Sequence, residues 1–231
     1  MIRLLQRMDD TADRSAEPPA PPALRLLTPV TVLVDADETV ADALDDWSRG
    51  LEWVCWLFSS VRQRMEHLHF APPGPLPPAW AAFAQGHVRS HLGPHLIAAA
   101  QAVLSGDLER LKALDHQLSG RLDPAQAARS REAGGILLRN TRGARYQGIL
   151  GRYRSAQEAG QTPGHFLTVW AGVGNFFQLS LANVIAEYLR LEWDMAARHL
   201  PEKDAALSHD SIASLTRQIL HGQKLALRVV A

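Results

Sequence analysis

Apolar residues recur at spacings of three and four along most of this chain, the period of a helix with one buried face. Val40, Leu44, Trp47, Leu51, Val54, Phe58, Val61, Met65 and Leu68 form one such stripe. Asp37 stands before it as a capping carboxylate. Between Leu51 and Phe58 the pattern is apolar nearly all round, which predicts a central core helix. Five prolines in seven residues, Pro72 to Pro78, predict a stiff linker after it. The next helix starts near Ala79, with Trp80, Phe83 and Val88 inward, and Pro94 is expected to kink or split it.

The helical ladder continues downstream. Asp107 caps a stripe of Leu108, Leu111, Leu114 and Leu118. Asp123-Pro124 is a helix start with proline at the first helical position. That helix is expected to reach the Gly134-Gly135 pair, with the pattern resuming at Ile136. Thr162-Pro163 predicts another start, leading through Phe166 and Trp170, and helix is expected to continue from Leu179 to Leu200. Pro201 ends it, and Ser208 or Asp210 opens the last helix.

The fold class predicted is all-α, a single layered helical domain of about eight to ten helices. The domain is placed at residues 36–231, with the proline-rich linker at 72–78. Residues 1–35 read as a poorly ordered tail. Its Glu17 to Pro22 stretch favours an extended chain, and Thr31 to Val34 is one short β-like run.

Composition narrows the class. Hydrophobic residues make up 46% of 231, enough for a sizeable core. No apolar run approaches membrane-spanning length, and acids follow Arg3 and Arg7 where a signal peptide needs apolar residues. Cys55 is the single cysteine, which excludes an internal disulfide and fits a cytoplasmic setting. Net charge is zero but segregated. Residues 35–46 hold six acids and no base, whereas residues 121–154 hold eight arginines against Asp123 and Glu132. Such asymmetry marks either solvated helix faces or a surface for an acidic partner. A neutral domain argues against nucleic acid.

Candidate chemistry is sparse. His87, His91 and His95 fall four residues apart, and imidazoles at that spacing can share a metal. Pro94 disturbs the second pair, leaving His87 and His91 as weak candidates beside the reading as surface histidines. Glu66 and His69 make a single Glu-x-x-His, where a di-iron bundle needs two. Gly172-Val173-Gly174 lacks the strand and third glycine of a nucleotide loop, so close helix packing is the better reading. No Gly-x-Ser-x-Gly, phosphate loop or Cys-x-x-Cys is present, so neither a nucleophile nor a cofactor is expected.

A set of short segments points further. They are Trp47 to Trp53, Leu104 to Leu108 with Leu114-Asp115, Ser130 to Gly134 with Leu137 to Arg139, Gly164-His165 with Gly172, Glu187 to Leu189, and Ala197 to Pro201. In this order they resemble the F-type urease accessory protein family. The resemblance implies an all-α, non-catalytic, typically dimeric scaffold without a cofactor. It also implies partners, a D/H-type accessory protein and a GTPase, and a part in nickel delivery to urease. The matching positions Gly50, Leu51, Glu52, Arg131, Gly134, His165 and Pro201 are then structural or partner-facing. Departures fall at both ends. Asp37 to Asp46 stand where the family has a proline-glycine-glycine-aromatic-serine stretch, and Glu202-Lys203 where it has glycine-glutamine. Outside that resemblance, a phasin-like helical coat on a granule surface and a helical metal-dependent enzyme are the alternatives.

Overall fold

The computed structural model describes residues 54–141, 148–200 and 209–229, with side chains of the last helix described from 211 to 222. The short β-like run, the Asp37 cap, the acidic stretch, Gly50, Leu51, Glu52, Pro201 and Ser208 lie outside the described residues. Among those described there is no strand, and the chain folds as the all-α domain its periodicity predicts.

Helix α1 is described over 54–64. Then come α2 (Leu76–Ala82), a π-helical segment (Phe83–Leu92), α3 (Gly93–Leu104), α4 (Leu108–Ser119), α5 (Pro124–Asn140) and α6 (Ile149–Glu158). The order ends with α7 (Phe166–Phe176), α8 (Leu181–Ala197) and α9 (His209–Val229).

Local chemistry explains many of the boundaries. Asp107 accepts the N–H of Arg110 at 2.9 Å and opens α4. Asp123 and Gln126 form a reciprocal capping box, with Pro124 in the first turn of α5. Ser180 caps α8 through the N–H of Asn183. The proline run ends inside a helix: Pro77 and Pro78 lie in the first turn of α2, where a missing N–H costs nothing. Pro94 neither stops nor visibly breaks the helical path. It stands in the first turn of α3, directly after the π segment, where Gly93 N–H reaches back five residues to the Val88 carbonyl.

Several expected boundaries are corrected. The Gly134-Gly135 pair does not interrupt α5, which runs through it to Asn140. Thr162-Pro163 is not the helix start. His165 is the capping position of α7, and Thr162 is held by a buried carboxylate. Helix does not run unbroken from Leu179 to Leu200: a turn with Gln178 at φ 55 precedes α8, which ends at Ala197.

The central helix is α7, not α1. Every residue from Phe166 to Gly174 is buried, and α3, α4, α5, α6 and α8 all pack on it. By contrast α1 has one buried face, Val54, Leu57, Phe58 and Val61, while Trp56 is 42% exposed and Cys55 half-buried. Phe58 packs on Trp170 with ring centroids 4.7 Å apart. The Gly172–Gly174 pair lets neighbours close in, as the packing reading expects. A Cβ on Gly172 would lie 3.0 Å from Leu150, and one on Gly174 2.5 Å from a Val184 methyl. No helix among the described residues is long and apolar enough to cross a membrane.

Candidate functional site: two buried carboxylates joined through Ser130

Helix α4 presents Leu111, Asp115 and Leu118 on its buried side, so a carboxylate enters an otherwise apolar stripe. Asp115 is fully buried. Isolated in the interior, an anion would cost several kcal/mol of desolvation, roughly as for other buried ions. Four donors converge on it instead. Its Oδ2 accepts the hydroxyls of Tyr153 and Thr162 and the N–H of Gly164, each at 2.7 Å, and Oδ1 accepts the N–H of His165 at 3.1 Å. The two backbone donors lie at the N-terminus of α7, where the helix dipole also favours negative charge. Asp115 therefore caps the central helix from a distant part of the chain. Burial and the adjacent Asp115 push the Tyr153 hydroxyl well above its ordinary pKa, so it stays a donor.

This clamp fixes the turn before α7, and there two of the family-matched residues meet. Gly164 adopts φ +80°, a conformation that favours glycine. Its carbonyl oxygen lies where a Cβ on Gly134 would stand, at only 2.0 Å. Gly134 is thus the one residue type α5 can offer at this crossing. His165 is buried, and Ser119 Oγ lies 2.8 Å from its Nε2. Its Nδ1 is buried without a hydrogen-bond partner among the described residues. Burial lowers the imidazole pKa to about 4, so the ring is neutral. Arg131, one turn before Gly134, is exposed at the surface beside this junction and adds to the suppression of His165 protonation.

A second buried carboxylate, Glu192 of α8, holds the segment that leads from α1 to α2. It accepts the N–H groups of His69 and Phe70 at 3.0–3.2 Å and lies 2.7 Å from His69 Nδ1. The Tyr188 hydroxyl lies 3.1 Å from the same ring nitrogen, and burial together with Glu192 pushes its pKa well up. On the other side of the ring, Nε2 meets Ser130 Oγ at 2.9 Å, and Ser130 Oγ accepts the N–H of Phe166 at 3.2 Å. In the Nδ1–H tautomer the ring donates to Glu192 and its Nε2 accepts the Ser130 hydroxyl. The order serine, histidine, carboxylate is that of a hydrolase triad. Ser130 and Glu192 are 0% exposed and His69 1%, and the serine oxygen is committed to a backbone N–H. In this sealed state the group can clamp segments but cannot meet a substrate.

His69 therefore does not pair with Glu66. That glutamate is exposed at the surface, and the carboxylate on His69 comes from 123 residues later. The three histidines spaced four apart, two in the π segment and His95 in α3, also separate. His87 and His91 meet edge to face with ring centroids 5.6 Å apart, but His95 turns inward, its Nε2 3.0 Å from Thr168 Oγ1. Burial lowers the pKa of His95 to about 4. Among the described residues no group of three or more histidine, cysteine, aspartate or glutamate side chains is placed to hold a metal ion.

Part of the arginine-rich stretch is structural. Arg129 donates to the Leu68 carbonyl at 2.7 Å, Arg152 to Gly106 at 3.1 Å and Arg154 to Thr141 at 3.5 Å. The last two carbonyls lie just beyond the C-terminal ends of α3 and α5, where cations are favoured. Arg121, Arg131 and Arg139 remain exposed.

Sequence reasoning named Gly134, His165 and Arg131, and the structure brings them to one junction. It missed Asp115, Ser130, Tyr153 and Glu192 as a working set. Their signal was available: each is a polar group on a buried helix face, such as Glu192 between Tyr188 and Met195. Their pairings were not visible, because the partners lie 36 to 123 residues apart.

No curated protein and no solved structure matches the chain. The UreF family matches residues 78–192, about half the chain, from the first turn of α2 to Glu192. Asp115, Ser130, Gly134, Tyr153 and His165 all lie inside the matched span, whereas His69 precedes it. This chain belongs to the UreF family of urease accessory proteins.

Proposed function

We propose that this chain is a non-catalytic scaffold in urease maturation, which helps to deliver nickel to urease through protein–protein contacts. Its partners are an accessory protein of the D/H type and a GTPase, and it works as a homodimer. The family match over residues 78–192 is the observation that carries this reading. The chemistry of the interior supports it. The buried polar side chains around α7 are bonded chiefly to one another and to backbone, an arrangement suited to rigidity.

Within this reading Gly134 and His165 are structural, and Arg131 is partner-facing because it alone of the three is exposed. Gly50, Leu51, Glu52 and Pro201 are assigned the same structural or partner-facing role. Co-purification of the full chain with a D/H-type protein and a urease GTPase tests the proposal. A complex at micromolar concentration, weakened by Arg131→Glu with an unchanged melting curve, is the expected result. No complex under those conditions overturns it. Sedimentation of the purified chain at a single-chain mass would overturn the dimer.

A further inference from the structure

Two segments without regular structure meet near the N-terminal end of the central helix. One, residues 65–71, carries exposed Glu66 and half-buried His67 on its outer side. The other, residues 159–165, carries exposed Ala159, Gly160 and Gln161. Each is pinned by its own buried carboxylate: Glu192 takes the N–H groups of His69 and Phe70, and Asp115 takes those of Gly164 and His165. Ser130 touches both arrangements. Its oxygen accepts from Phe166, the residue after His165, and lies 2.9 Å from His69 Nε2.

The donors run in one direction. Phe166 N–H donates to Ser130 Oγ; with His69 in the Nδ1–H tautomer, the Ser130 hydroxyl donates to Nε2 and Nδ1–H to Glu192. In a chain of this kind each bond polarises the next, so loss of one weakens its neighbours. The side chains are sealed from water, which leaves no solvent to replace a lost partner. The backbone is as closely tied, since the Gly134–Gly164 crossing fixes α5 one turn beyond Ser130.

We propose that Ser130 makes the two carboxylate clamps one cooperative unit. Displacement of segment 65–71 at one part of the surface is thereby transmitted to segment 159–165 at another. This goes beyond the scaffold reading and does not depend on which proteins bind.

Amide hydrogen exchange on the full chain tests it. In the unaltered protein the amides of His69, Phe70, Gly164, His165 and Phe166 are expected to open together, with one dependence on denaturant. Glu192→Gln is expected to accelerate exchange about tenfold at His69 and Phe70, and at least about fivefold at Gly164 to Phe166. In the Ser130→Ala background the second effect disappears and the first remains. Acceleration confined to His69 and Phe70 in the Glu192→Gln protein overturns the proposal. If Ser130→Ala does not fold, the unaltered protein still decides: separate opening of the two segments, with different denaturant slopes, overturns it.

Discussion

Replacing Gly134 with alanine adds one methyl group where, of the described glycines, a Cβ would meet its nearest neighbour at the shortest distance. The new Cβ would lie 2.0 Å from the Gly164 carbonyl oxygen, and 3.1 Å from both the Gly164 and His165 carbonyl carbons. Ordinary contact needs more than 3 Å, so backbone must move by about 1 Å or more. The obstacle is not a flexible side-chain end that can swing away. Gly164 N–H is held by Asp115 at 2.7 Å, His165 N–H at 3.1 Å, and α7 begins one residue later. Overpacking of this kind costs about 1–3 kcal/mol. Weakening the bonds to a buried carboxylate adds about 1–3 kcal/mol. Alanine recovers about 1 kcal/mol through its better helix propensity. The net expectation is a loss of about 3 kcal/mol, or roughly 6–12 °C in melting temperature for a chain of this size. Gly135→Ala is the control. Its Cβ would meet only the mobile end of Arg139, at 3.4 Å, so propensity dominates and a gain of about 0.5–1 kcal/mol is expected. Parallel thermal and urea unfolding followed by circular dichroism gives the comparison. Equal melting temperatures for the two variants, or Gly134→Ala at or above the unaltered protein, would refute the steric argument.

Gly174→Ala should cost less, about 1 kcal/mol, because the atom in its way is a Val184 side-chain methyl, and the loss should shrink in a Val184→Ala background on the same urea curves. Asp115→Asn keeps the size but replaces one acceptor oxygen by a donor that faces other donors. A loss of about 2–4 kcal/mol is expected, with Tyr153→Phe costing nearer 1 kcal/mol, both read by urea unfolding. His95 has a folded pKa of about 4 against an ordinary 6.5, because burial opposes its charge. Below 6.5 the unfolded chain takes up a proton that the folded chain refuses, so stability falls from pH 6.5 to about 4 and levels off below. The loss approaches about 3 kcal/mol, at about 1.4 kcal/mol per pKa unit. Relative to the unaltered protein, His95→Gln should flatten unfolding free energy between pH 6.5 and 4 by that amount; an unchanged slope would count against a buried neutral imidazole.

The sequence by itself determined the helical class, because period-3.6 burial and the Asp107 and Asp123 caps are local statements about neighbouring residues. It also pointed to the family, through short segments whose order survives even where each is weak. Its errors were tertiary in origin. The Gly134-Gly135 pair reads as a break because glycine weakens a helix, yet here it admits a neighbouring carbonyl that any side chain would exclude. The stretch around Phe58 reads as the central helix because it is apolar nearly all round. Which helix becomes central depends on how many partners surround it, and α7 has them. The same holds for chemistry. Glu66 and His69 are close in sequence and form a single Glu-x-x-His, but a buried imidazole finds its partner wherever the fold supplies one, and Glu192 supplies it. Desolvation decides such pairings. A carboxylate in the core is tolerated only where several donors converge, and only the folded chain shows where Asp115 and Glu192 find theirs.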